Sequence, residues 1–240
     1  MTKFTLYTFI ILGLALSSCN SSNVFSISDN EDKGIKEVLE YYGGICKYAV
    51  GYSASTKEGK TKYFEVEMTK SDIIEKFANA LDMPASNIAY LFYRNLKQEK
   101  DNYDEIHVVI ILQNERKMIF KYPKEDLATI DRKMGVVEKV VDILKRKNFD
   151  GLKPYLNPDT TYIHYNEDTL INNVAKFDPQ FGSIKEFSPY GFRFLQRERD
   201  LRKVLHISGV LLRDKQNNEF SVDVDPQSTK DEIIVLQYAL

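Results

Sequence analysis

Apolar residues recur at Ile35, Val38, Leu39 and Tyr42, the three-and-four spacing that lays one stripe along a helix, and Gly43-Gly44 closes that stretch. The period then drops to two. Tyr48, Val50 and Tyr52 alternate with polar residues, Lys57-Glu58-Gly59-Lys60 supplies a turn, and Phe64, Val66 and Met68 alternate back, which predicts a hairpin. Ser71 and Asp72 stand where a helix cap belongs, before Ile73, Ile74, Phe77, Ala78 and Leu81. Asp82-Met83-Pro84 is expected to stop that helix. Short apolar runs at 88–94, 106–112 and 117–122 then predict three strands. The second of them, within "IHVVIIL", is apolar enough to be central and covered on both faces. Residues 33–122 thus form a first α+β unit, and the charged, proline-containing stretch 123–133 is expected to link it to a second.

Residues 134–240 open with a helix whose stripe is Val137, Val140, Val141 and Leu144. A second helix is expected over 167–177. Four strands follow at 184–194, 203–212, 219–224 and 233–238, with turns rich in charge, Asn and Pro between them. Helices followed by a meander of long strands imply a curved antiparallel sheet wrapped on helices. The fold class is therefore α+β, as two small α+β domains.

The phrases "VVEKVVDILKRKNFDGLKPYL", "FGSIKEF" and "EFSVDVDP", with this order of elements, resemble the NTF2-like (cystatin-like) domains of many bacterial secreted proteins. The resemblance spans about residues 135–240. It implies a cone-shaped sheet that can enclose a pocket, and it brings no catalytic motif with it.

The N-terminus has a different pattern. Lys3 precedes an uncharged apolar run over 4–16, and Ser17, Ser18 and Cys19 follow. That order of charge, apolar run and small residues is the layout of a secretory signal peptide over 1–18. The run is shorter than the ~20 residues that span a bilayer. Leu16-Ser17-Ser18-Cys19 resembles the lipobox of bacterial lipoproteins. This resemblance implies that Cys19 is acylated (palmitate among its chains) after cleavage before it, and that two or more chains hold the protein firmly. Residues 19–32 then read as a flexible tether, rich in Ser and Asn. Asn20, unlike aspartate, does not resemble an inner-membrane retention signal, so an outer-membrane address is expected.

Composition narrows the function classes. Without residues 1–18 the net charge moves from −2 to −3, which lacks the basic bias of nucleic-acid binding. The chain has two cysteines; with Cys19 acylated, Cys46 has no intramolecular partner and is expected to behave as a small hydrophobe. Trp is absent while Tyr numbers 15, a composition that suits strands.

Chemistry-bearing groups are sparse. No P-loop, GxGxxG, GxSxG or HExxH occurs, and His107, His164 and His206 do not sit at metal-ligand spacing. Asp223 and Asp225 share a strand face that reads as solvated. No catalytic residue, metal or cofactor is implied. The candidate pocket groups of the second sheet are Tyr162, His164, Tyr190, Phe192 and His206. A binding or assembly module of the cell envelope, attached through Cys19 and meeting an envelope protein partner, leaves them packed or scattered. A small-molecule carrier or isomerase-like enzyme instead needs a histidine facing an apolar cavity of ~300 Å³ or more, within reach of a second titratable group.

Overall fold

A computed structural model describes residues 26–55, 59–158, 166–197 and 201–238. The lipobox-like stretch with Cys19, and the pocket candidates Tyr162 and His164, lie outside the described residues. Helix α1 (Asp29–Tyr42) begins inside the stretch expected as tether. Its start is a reciprocal cap: Glu31 N–H donates to Ser28 Oγ at 3.2 Å, and Ser28 N–H donates to the Glu31 carboxylate at 2.7 Å. Strands β1 (Ile45–Ser55) and β2 (Gly59–Thr69) form the expected hairpin, with Phe64, Val66 and Met68 buried.

The next segment departs from expectation. Helix α2 (Asp72–Glu75) is a single turn, after which the chain continues in tight turns such as Phe77 N–H to Ile74 O. The strand expected at 88–94 is the middle of helix α3 (Asp82–Leu96). Pro84 does not stop a helix; it sits in the first turn of one, where its missing N–H is not needed. The misreading has a physical cause. Every residue from Met83 to Tyr93 is buried, Ser86 and Asn87 included, so the middle of α3 has no wet face to mark it as a helix.

Strands β3 (Glu105–Ile111) and β4 (Lys117–Pro123) complete a sheet of order β1-β2-β3-β4. The β2–β3 pair is parallel, as a helical crossover through α2 and α3 requires, and the other two pairs are antiparallel. The stretch expected as a linker is also helical. Helix α4 (Lys124–Lys145) starts directly after Pro123 and buries Leu127 and Ile130 below the predicted stripe. Even its charged letters are used: buried Lys133 donates to the carbonyls of Ser228 and Lys230, and Arg132 to those of Pro226 and Ser228. A 3₁₀ segment at Phe149–Tyr155 leads on to helix α5 (Glu167–Phe181), which runs past its predicted end through Pro179 to Gly182. Strands β5 (Ile184–Gln196), β6 (Lys203–Arg213), β7 (Asn218–Val224) and β8 (Val235–Tyr238) then form an antiparallel meander.

The protein is thus α+β with two four-stranded sheets. Core residues of both sheets belong to one contiguous cluster, and α3 touches α1, β3, β4, α4 and β5. The seam runs along β5. Phe192 N–H donates to Ser86 Oγ at 2.8 Å, Arg193 pairs with Asp82, and the Tyr41 hydroxyl donates to Pro189 O at 2.6 Å. Arg193 holds the Asp82 carboxyl below the usual carboxylate range. Gly191 is the tightest point: a Cβ there would lie 2.8 Å from Met83 Cα. Gly191→Ala is therefore expected to push α3 off β5 and cost about 1–3 kcal/mol, read as a lower urea midpoint. An unchanged midpoint would mean the seam is looser than these distances.

Candidate functional site

Two of the concavities among the described residues border the middle of β5. The first is built by strand register. His206 and Ser208 lie two apart on β6, so their side chains share a face. Pairing sets His206 opposite Asp223, Ser208 opposite Ser221, and Ser221 opposite Gln237. The alternate positions Leu205, Ile207, Val222 and Val224 point into the core and fix which face the polar row takes.

The row is hydrogen bonded in two groups, one around His206 and one around Ser221. His206 Nδ1 is 2.6 Å from Asp223 Oδ1, and His206 Nε2 is 2.6 Å from Ser208 Oγ. A carboxylate at Nδ1 is placed to accept that nitrogen's proton, and Nε2 is then placed to accept from the Ser208 hydroxyl. The Tyr190 side chain lines the same cavity as Ser208. Burial is the main reason the Tyr190 phenol sits above its usual range, with Glu219 adding to it. Ser221 Oγ donates to Gln237 Oε1 at 2.8 Å, which turns the Gln237 amide nitrogen away from Ser221. These groups, Asp223 excepted, line a polar cavity of about 150 Å³ with Glu219 and Phe220. Ser208 itself is 4% exposed, so the hydroxyl is met only from inside that cavity.

Of the candidates named from sequence, Tyr190 and His206 come together here. Phe192 does not: it faces the core, edge-on to Tyr90 at 5.1 Å. His206 has the titratable neighbour an enzyme needs, but the cavity is half the expected volume and its walls are polar. Ser208, Asp223 and Gln237 were not among the candidates. Alternation put Ser208 beside His206, and only the β6–β7 register could add Asp223. Asp225, which shares a strand face with Asp223 in the sequence pattern, accepts from Gln227 N–H at 2.8 Å in the next turn.

The second concavity is an open groove of about 600 Å³ between α4 and β5. Met134, Val141, Phe187 and Pro189 supply apolar surface. Arg94, Lys139 and Lys145 face Glu138, Asp142 and Glu186 around it, a rim balanced in sign. Gly135 also lines the groove, in the middle of a 22-residue helix. A Cβ built there would meet nothing within 4 Å, so no packing inside the chain asks for glycine.

The remaining reactive groups sit elsewhere. His107 is buried, bonded to Glu105 at 2.6 Å and stacked on Tyr63 at 3.9 Å. Burial, with Glu67 nearby, pushes the Cys46 thiol up to about 12, which keeps it protonated and unreactive at neutral pH. Among the described residues no group of three or more His, Cys, Asp or Glu is placed to hold a metal ion. Comparison with protein families, with curated proteins and with solved structures found no match to this chain.

Proposed function

We propose that the chain is a bacterial envelope lipoprotein, tethered through Cys19 and addressed to the outer membrane, and that it works as a binding or assembly module through the α4–β5 groove. Gly135 carries the reading. A glycine inside a helix costs roughly 0.5–1 kcal/mol relative to alanine. Here that cost secures nothing within the chain and keeps a notch open over apolar side chains. The occupant that fits is a peptide segment of a partner protein, with one bulky apolar side chain over Gly135 and flanking charges of both signs. A balanced rim does not select a polyanion or a polycation. The test is a pair of variants. Gly135→Ala should stabilise the fold by about 0.5–1 kcal/mol, and Gly135→Arg should abolish photocrosslinking to a partner from a probe at Lys139. Crosslinks that persist through Gly135→Arg would rule out the groove.

One observation favours a second reading, in which the protein carries or transforms a small molecule. The polar cavity with its Ser208–His206–Asp223 chain is more ordered than a solvated strand face requires.

A further inference from the structure

We propose that Ser208 is an acyl-accepting nucleophile and that the cavity around it hydrolyses small neutral esters. The inference rests on the second reading above and is independent of the groove. Hydroxyl, imidazole and carboxylate stand in the order that activates a serine: the oxygen bonded to Nε2, and Nδ1 bonded to a carboxylate that fixes the tautomer. All three side chains come from paired strands, so their geometry is held by the sheet ladder and not by a loop. Ser221, directly opposite Ser208, gives its proton to Gln237 and has no base, which singles out one hydroxyl of the two.

The same cavity holds donors for the charge that develops on a carbonyl oxygen. The Tyr190 hydroxyl and the Gln237 side-chain amide both line it. Side chains of these types serve as oxyanion donors. The volume, about 150 Å³, holds roughly five water-sized groups at ~30 Å³ each, enough for the reacting atoms of an acetyl ester. Glu219 on the wall and Asp223 behind the imidazole disfavour substrates bearing a carboxylate.

The step balances with water alone. Ser208 Oγ bonds to the ester carbonyl carbon as its proton passes to His206 Nε2. The carbon–alkoxy bond breaks and the alcohol leaves with that proton. Water then attacks the acyl-serine, giving a proton to His206, and the carboxylic acid departs as Ser208 Oγ recovers it. Asp223 stays ionised throughout and stabilises the imidazolium.

The full-length protein, treated with a short alkyl fluorophosphonate and mapped by mass spectrometry, should carry one adduct, on Ser208. Ser208→Ala should carry none. His206→Ala should label at least about 100-fold more slowly, the usual contribution of a positioned base, with an unchanged melting temperature showing that it still folds. The same variants should lose hydrolysis of p-nitrophenyl acetate in parallel. A folded wild-type protein that stays unlabelled, labelling at Ser221, or equal rates in His206→Ala would overturn the proposal. Acetate esters that shift the His206 ring signals in NMR without labelling would sink the nucleophile and keep the small-molecule reading. Neither shift nor label would remove both.

Discussion

Asp178→Ala is expected to lower the stability of the fold by about 3–5 kcal/mol, because it strips the partner from a buried cation. The Arg213 side chain is fully buried and the Asp178 side chain is 2% exposed. The guanidinium donates to Asp178 at 2.8 Å, to Asn218 Oδ1 at 2.7 Å and to Gly182 O at 2.6 Å, and its carbon lies 5.5 Å from the Phe181 ring centre and 5.7 Å from that of Tyr238. The Tyr238 hydroxyl donates to the same carboxylate at 2.6 Å. Burial and that bond raise the tyrosine's pKa, so it remains a donor. Removing the carboxylate leaves a charge that water cannot reach. The double variant Asp178→Leu with Arg213→Met should recover most of the loss, since replacing both partners with apolar groups is often near neutral. Guanidinium denaturation of the three proteins measures this. A single variant within 1 kcal/mol of wild type would show that the cluster does not hold α5 to the sheet.

Cys19→Ala is expected to abolish lipid attachment altogether. The proposal assigns the anchor to one sulfur, so there is no partial outcome. Each methylene of an acyl chain buried in a bilayer contributes ~0.8 kcal/mol, and two or more chains make release negligible on cellular times. Cells fed a clickable fatty acid should label the wild-type protein and not the variant, and the variant should leave the membrane fraction. Label retained by Cys19→Ala would end the lipoprotein reading.

Most strands were legible in the sequence because they have one wet face and one dry face; β3, buried on both, was legible from its short apolar run. Phe64, Val66 and Met68, or Phe220, Val222 and Val224, declare their side of a sheet by alternation alone. Helix α3 was not legible for the opposite reason: with no wet face, its apolar run at 88–94 looks like a buried strand. The start of α4 was hidden by Arg132 and Lys133, whose charges read as a linker until the β7–β8 turn supplies carbonyls for them. Ser28-x-x-Glu31 was a readable cap that the Ser/Asn-rich context masked. At the polar cavity, the sequence placed His206 and Ser208 together and left Asp223 one strand away. A two-residue slip between β6 and β7 keeps every apolar side chain in the core and still removes Asp223 from His206, so periodicity cannot specify the trio.

The burial of α3 on all sides also sets an order of events during synthesis. The helix ends at Leu96, but β5, which covers Met83, Tyr90 and the seam around Ser86, begins at Ile184. At 5–20 residues per second, that cover arrives roughly 4–18 s after the helix has left the ribosome. Through that interval the first sheet holds a helix whose outer side is still apolar and wet. A nascent chain halted before Ile184 therefore offers chaperones a greasy helix face that the finished protein never shows.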